Sequence, residues 1–512
     1  MASKILIEKN AYYDSVTLMS LSGSIRKNEG IAQAVVSMGT QMNKDLLKNI
    51  GLLTQEAEDA SENDLIIAVE ADSDERLDSV ISLIREQLSS KKNGNKETGE
   101  KVASSSAEAV KIMSDANIGV ISVRGDYAAR EARKLLNMGL HVMIFSDNVT
   151  VEEEKELKEI GREKGLLVMG PDCGTAIINQ VGLCFANKVL PGRIGLAAAS
   201  GTGLQEVIVQ IDRMGYGISQ AIGVGGRDLS EDIGGIMMLE SLKALDGDEN
   251  TDVIVLISKP PAPSVQDKIL AQIKEVSKPV VVCFLDGDAA EAEKAGAAFA
   301  KSLKGAAVEA VKKLDPNASV QNENNEHSDW TAQQKSRFTS SQKYVRGLFC
   351  GGTLTSESLM ILRDHGLQAK SNAAKKKHEK LEDVLVSSGN VLIDMGDDQF
   401  TVGKPHPMIE PALRNDRILQ EARDPETAVI LLDFELGYGS HDDPVGVTYD
   451  TLKEVRKIAE ESGRNIPVVA YVCGTYNDKQ NYYEQVKKLK SLDIYVADSN
   501  EEAASIAAEL VC

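Results

Sequence analysis

The chain has no CxxC pair, few aromatic residues, no long apolar run, and too few basic residues to balance its acidic ones. Its six cysteines, at 173, 184, 283, 350, 473 and 512, are scattered and mostly sit in apolar, strand-like contexts, so they read as reduced cytosolic thiols. No basic segment followed by an apolar stretch opens the chain, and nothing approaches the roughly 18 apolar residues needed to cross a bilayer. The expectation is therefore a cytoplasmic protein with no membrane contact. Lys plus Arg total 57 against 78 Asp plus Glu, and the net charge of −21 repels phosphate backbones and anionic lipid alike. Nucleic acid is not an expected partner. Aromatics make up 4% of the chain while Gly numbers 41, which favours close helix-on-sheet packing over an aromatic-rich sandwich. At 512 residues, three or four domains are expected.

Residues 12–20 and 64–70 read as strands and 27–48 and 74–89 as helices, which gives a small α+β domain over 1–110. The polar stretch 91–106 reads as a surface loop. From 118 onward, short apolar strands alternate with amphipathic helices: 118–123, 141–145, 166–169, 194–198, 220–224, 253–257 and 280–285. This is the βαβ rhythm of parallel sheets. A polar segment, 314–341, interrupts it as an interdomain linker, and strands at 344–349, 391–394, 427–432, 467–472 and 493–496 resume it.

One feature occurs twice. Strand 194–198 runs into Ser200-Gly201-Thr202-Gly203 and a helix, and strand 344–349 runs into Gly351-Gly352-Thr353-Leu354 and a helix. Small residues let a ligand approach the backbone, and the free N–H groups and dipole of a helix start attract an anion. The hydroxyl at the entry either caps the helix or adds a donor to phosphate. Two such starts facing one another would hold a phosphoryl group from both sides.

Other loops at strand ends add candidates, because ligands of open α/β sheets gather there. Asp172-Cys173-Gly174 offers a carboxylate, a thiol and backbone donors, and Gly225-Gly226-Arg227-Asp228 offers a guanidinium that either meets an anion or pairs with Asp228. Lys404, His406 and His441 are further candidates for charge neutralisation and proton transfer, the alternative being loop residues with no role. The acidic groups at 397, 398, 433, 435, 442 and 443 read as solvated loops, and no metal is assigned.

The stretch from Met169-Gly170-Pro171-Asp172-Cys173-Gly174, through Pro191-Gly192-Arg193-Ile194-Gly195 and Ser200-Gly201-Thr202, to Gly223-Val224-Gly225-Gly226-Arg227-Asp228 resembles the α subunit of succinyl-CoA synthetase. The second block resembles the ligase domain of that enzyme's β subunit. Residues 394–409 and Leu436-Gly437-Tyr438-Gly439-Ser440-His441 resemble the FdrA family, a likeness that covers nearly the whole chain. The resemblance implies an α/β fold with a Rossmann-type, CoA-binding-like domain at 111–190. It also implies flavodoxin-like ligase domains at 191–313 and 342–512, joined by the 314–341 linker.

Three departures shape the expected function. The synthetase carries phosphate on a His in a Gly-His-Ala-Gly-Ala loop, whose counterpart here is Glu293-Lys294-Ala295-Gly296-Ala297, and no His lies between His141 and His327. The Gly-rich loop expected for CoA phosphate is replaced by Val123-Arg124-Gly125-Asp126-Tyr127-Ala128, so CoA binding is doubtful and no cofactor is assigned with certainty. There is no room for an ATP-grasp domain and no Walker-type loop. What survives is a phosphate cradle, which suits a ready-made acyl phosphate that needs only orientation and charge stabilisation.

Resemblance to FdrA implies a subunit of oxamate carbamoyltransferase, interconverting oxalurate plus phosphate with oxamate plus carbamoyl phosphate in allantoin and purine breakdown. Such a chain would work in an oligomer with other carbamoyltransferase subunits. In that reading the helix starts hold phosphate, Arg227 or Lys404 neutralises charge, and His406 or His441 polarises the carbonyl or manages the amide proton. Asp172, Cys173, Gly174, Gly225 and Gly226 would line the substrate. The alternatives are an acyl-CoA synthetase subunit and a non-catalytic regulatory or assembly protein.

Overall fold

A computed structural model describes residues 2–11, 13, 15–26, 28, 30–93, 103–319, 327–402 and 404–512. The chain divides into two compact units, 1–112 and 113–512. No helix among the described residues is long and apolar enough to cross a membrane.

The first unit is an antiparallel sheet in the order Ala2–Glu8, Leu65–Ala71, Ile31–Met38. Its central strand alternates in the two-residue period of a sheet. Leu65, Ile67 and Val69 face the helices Ser15–Arg26 and Asp74–Asn93, and Ile66 and Ala68 face Leu47 and Leu52 on the other side. Two expectations fail here. The segment expected as a strand over 12–20 is helical from Ser15, because Leu18, Leu21 and Ile25 recur at helical spacing and are all buried. The segment expected as a helix over 27–48 contains the strand Ile31–Met38, whose Ala34, Val36 and Met38 alternate inward, and only then the helix Gln41–Asn49. Residues 94–102 of the expected 91–106 loop lie outside the described residues.

The second unit carries three sheets. A small parallel sheet joins Ile118–Ile121, His141–Ile144 and Val168–Met169. A seven-stranded sheet runs Ala298–Phe299, Val280–Phe284, Val253–Ser258, Pro191–Ala198, Ile218–Gly223, Thr175–Ile178, Val181–Cys184, with Thr175–Ile178 antiparallel to both its neighbours and the other strands parallel to one another. A six-stranded parallel sheet runs Ala369–Ser371, Asn390–Asp394, Tyr344–Phe349, Thr427–Glu435, Val468–Cys473, Tyr495–Ala497. The hairpin 175–184 thus pairs into the seven-stranded sheet. Part of the expected linker is structured: helix His327–Lys335 packs its Trp330 ring 4.9 Å from that of Tyr495. Residues 320–326 lie outside the described residues.

The two large sheets share one core. Leu204, Val207 and Ile211 of helix Gly201–Arg213, Ala306 and Ala310 of Leu303–Leu314, Leu354 and Leu362 of Gly352–Asp364, and Ala503 and Ala507 of Asn500–Val511 belong to a single apolar cluster. Buried polar pairs cross it: Glu357 accepts from Leu303 N at 2.7 Å and from Asn500 Nδ2 at 2.8 Å, and Tyr471 donates to Glu206. The topology also fixes where a ligand would go. Strand 191–198 lies between 218–223 and 253–258, and strand 344–349 lies between 390–394 and 427–435, so strand order reverses at both. The crevice at the carboxyl end of such a strand is the usual ligand site of an open α/β sheet.

Candidate functional site

Each switch strand ends in one of the repeated turns, and the fold brings the two turns together. Ser200 is extended and caps its helix, its Oγ accepting from Gly203 N at 2.9 Å. The same Oγ donates to Thr353 Oγ1 at 2.6 Å, a direct bond between the two helix starts. Packing repeats the relation in both directions. A Cβ on Gly351 would fall inside the Thr202 side chain, and a Cβ on Gly203 would fall 2.9 Å from the Thr353 methyl. Glycine is required at 203 and 351 because each lies under the threonine of the opposite turn.

The two starts differ in what remains open. Gly351 occupies the cap position of its helix with no side chain, so among the described residues nothing caps the N–H groups of the first turn from Gly352 onward. Around Gly352 stand Lys259, whose Nζ lies 3.0 Å from where a Cβ on Gly352 would be, and the buried Asp394, whose Oδ2 lies closer still. Lys259 has no hydrogen bond or ion pair among the described residues. Lys375 donates to Pro260 O at 2.8 Å, and its ammonium is held below the usual lysine range by burial first and Lys259 second. At Gly201 the neighbours are neutral: a Cβ placed there would lie 3.6 Å from Thr175 Oγ1 and 3.8 Å from Gly174 Cα. The Thr175 hydroxyl is buried and has no partner among the described residues.

Asp394 is pushed up to about 7, chiefly by burial, with Lys259 opposing. Two residues on, the His406 Nε2 lies against Gly396. Its Nδ1 accepts Met408 N at 3.2 Å, which leaves the proton of a neutral ring on Nε2. Burial lowers this histidine to about 4, so the ring is neutral at pH 7 and can donate but carries no charge. Below Cys350, the buried Arg414 pairs with Asp433 at 2.8 Å, and Asp433 accepts Cys350 N through both oxygens at 2.8 and 2.9 Å. Cys350, Asp433 and Glu435 could each offer a ligand atom within 4.8 Å of the others, but the Arg414 guanidinium already neutralises Asp433 there. The cluster reads as an internal ion pair that fixes the strand end under Gly351.

Several expected site residues are placed elsewhere. Arg227 is paired with neither Asp228 nor an open anion site: it holds Glu154 at 2.9 Å and Val149 O at 2.7 Å. Asp228 is buried on Lys158 at 2.8 Å and caps Met237 N and Met238 N, so this loop is largely structural. Cys173 is a buried thiol donating to Gly223 O at 3.3 Å, pushed up to about 12 by burial. Leu354 is in the core and can offer only its backbone. Gly225 adopts φ +89° against Pro171, and Gly226 lies 3.9 Å, at its Cβ position, from Asp172 Oδ2.

Gly174 lies beside Gly201, as above. Asp172 is exposed, yet surrounding protein, then Asp147 and Asp398, push its carboxyl up to about 6. Lys404 is exposed and unpaired among the described residues. His441 accepts Asp443 N at 3.0 Å and is joined to the site only through its own N–H to Met408 O at 2.9 Å. Lys259 and Lys375 are the residues that sequence reasoning misses. Lys259 directly follows the apolar strand Val253–Ser258, so the strand-end rule that selects the other loops also covers it.

A profile described as AllF, heavy metal-associated domain, matches residues 1–105. One described as CoA binding domain matches 191–286, and one described as CoA-ligase matches 348–510. The CoA binding match falls on the segment expected to be the first ligase domain, not on 111–190. The 1–105 segment contains no Cys and no His, the first of each being Cys173 and His141, so thiolate or imidazole metal ligation is not available in it. Over its whole length the chain is 46% identical to the protein YahF of Escherichia coli (strain K12), covering 99% of that protein. It is 28% identical, over 37% of this chain and 66% of the relative, to succinate–CoA ligase [ADP-forming] subunit alpha 2 of Archaeoglobus fulgidus. Among solved structures, the apo dinucleotide-forming acetyl-coenzyme A synthetase 1 of Ca. Korarchaeum cryptofilum matches 81% of this chain and 86% of its own at 19% identity and a TM-score of 0.32.

Proposed function

Because the chain belongs to the FdrA family of succinyl-CoA synthetase-like proteins, with CoA-binding and CoA-ligase domains behind an AllF-type N-terminal domain, we propose that it is an enzyme subunit that handles a small acyl phosphate. The observation that carries the reading is the pair of clasped helix starts, joined by Ser200 and Thr353 at 2.6 Å, with the Gly352 start uncapped and the neighbouring Lys259 unpaired among the described residues. Uncapped N–H groups and an ammonium are what an oxyanion needs. Lys259 takes the charge-neutralising role in place of Arg227. His406, neutral and with its proton on Nε2, is suited to polarise a carbonyl.

The substrate we favour is the carbamoyl group passed between oxalurate and phosphate, giving oxamate and carbamoyl phosphate, in a cytoplasmic oligomer with other carbamoyltransferase subunits. The AllF-type match and the missing loop histidine support it. A second reading, an acyl-CoA ligase subunit, is favoured by the CoA-binding and CoA-ligase matches.

Two measurements test these readings. Replacing Lys259 with Met should weaken inorganic phosphate binding about tenfold or more, the weight of a charge-assisted hydrogen bond, in a calorimetric titration. An unchanged affinity would remove Lys259 from the site. Assaying the chain with its partner subunits for carbamoyl phosphate from oxalurate and phosphate separates the substrates, since CoA thioester formation in its place would select the ligase reading.

A further inference from the structure

Asp394 ends the strand Asn390–Asp394 at the mouth of the site, and its backbone is pinned on both sides by Asn372. The Asn372 Nδ2 donates to Asp394 O at 2.8 Å, and its Oδ1 accepts from Asp394 N at 2.9 Å. Of the carboxyl oxygens, Oδ1 accepts Gly396 N at 2.9 Å. The other, Oδ2, has no hydrogen bond among the described residues and lies against Gly352, with Lys259 Nζ on the same spot. A carboxylate therefore stands where an oxyanion would meet the helix start.

One lysine and one uncapped turn cannot neutralise both a dianion and a buried carboxylate in contact with it, so the carboxylate must gain a proton when the dianion enters. We propose that Asp394 is the proton carrier of the site: it takes up a proton as the dianion enters beside Gly352 and passes it to the nitrogen leaving the carbamoyl carbon. This rests on the carbamoyl-transfer reading above. A phosphate oxygen forms the bond to the carbamoyl carbon, the C–N bond breaks, and its electron pair stays on the amide nitrogen, which takes the Asp394 proton. The P–OH proton of hydrogen phosphate restores the carboxyl, so no proton is consumed overall.

The charged and titratable groups facing Asp394 leave the task to it. Lys259 opposes protonation of the carboxyl, Asp433 is held by Arg414, and Asp397 is a like charge that favours the protonated form. His406, across Gly396, is already neutral with its Nδ1 occupied by backbone. The raised carboxyl, at about 7, lies in the range where a group both gives and takes a proton near neutrality.

Sulfate tests this in the full-length chain, because it remains a dianion across the useful pH range and brings no proton of its own. Calorimetric titration at pH 8 in two buffers of different ionisation enthalpy should show uptake of about one proton per sulfate by the wild type and none by Asp394→Asn, which binds at least as tightly. In the wild type alone, sulfate affinity should fall by up to about tenfold per pH unit above neutrality. Uptake that persists in Asp394→Asn, or sulfate binding with a flat pH profile, overturns the proposal and leaves the oxyanion site standing. A wild type that binds neither sulfate nor phosphate overturns both.

Discussion

The two helix starts are almost the same in sequence and do different things in the fold. At Ser200 the turn supplies its own cap, and its hydroxyl then reaches across to Thr353. At Gly351 the cap position has no side chain, and a lysine and a buried carboxyl gather beside the open turn. The repeated Gly and Thr are used up mainly in the clasp, each threonine covering the other turn's glycine. What makes a site is the unshared part: the missing cap and the charges from other strands.

The sharpest way to break the comparison is to add one methyl group to each start. In Gly352→Ala the new Cβ overlaps Asp394 Oδ2 and comes 3.0 Å from Lys259 Nζ, so both side chains must move away from the turn. Phosphate affinity should fall by about tenfold to a hundredfold, as when a charge-assisted hydrogen bond is lost. The sister variant Gly201→Ala meets nothing nearer than 3.6 Å and should bind as the wild type does. Equal losses in both, by calorimetry, would mean that the starts are equivalent after all.

How much of this can be read in the sequence follows from which interactions are local. The βαβ rhythm, both turns and most strands of residues 113–512 are legible because apolar runs bounded by Gly report on the chain's own neighbourhood. The first unit is harder to read because 15–26 and 31–38 are short segments whose two- and three-to-four-residue periods are hard to separate without knowing what they pack on. In the site, the turns are legible, but the ion pairs are not: local reading puts Arg227 beside Asp228, and tertiary packing gives it Glu154, 73 residues away. Lys259 meets Gly352 across the two blocks, a distance no local pattern reports.

A middle-sized effect probes the capped side. Ser200→Ala removes both the acceptor for Gly203 N and the donor to Thr353, and should lower stability by about 1 kcal/mol, typical of a lost N-cap, in a denaturant titration. Phosphate affinity should change less than in Gly352→Ala, because Ser200 holds the clasp while Gly352 borders the mouth. A Ser200→Ala variant as stable as the wild type would show that the bond between the starts adds nothing beyond packing.

The smallest effect is expected at Arg227. Its side chain is 45% exposed and already shared between Glu154 and Val149 O, while Glu154 keeps the buried Lys158 at 2.7 Å when the guanidinium is gone. Because Glu154 is itself buried, losing the guanidinium costs stability, with Lys158 left to hold the carboxylate. Arg227→Gln should therefore leave phosphate affinity within about twofold of the wild type, since no charge-assisted bond to the anion is removed. A tenfold loss would instead place the anion toward Asp172, Gly226 and Gly174, on the Gly201 side, where the unpartnered Thr175 hydroxyl waits. The roles of the two starts would then be exchanged, with the Ser200 turn as the mouth and the Gly351 turn as the brace.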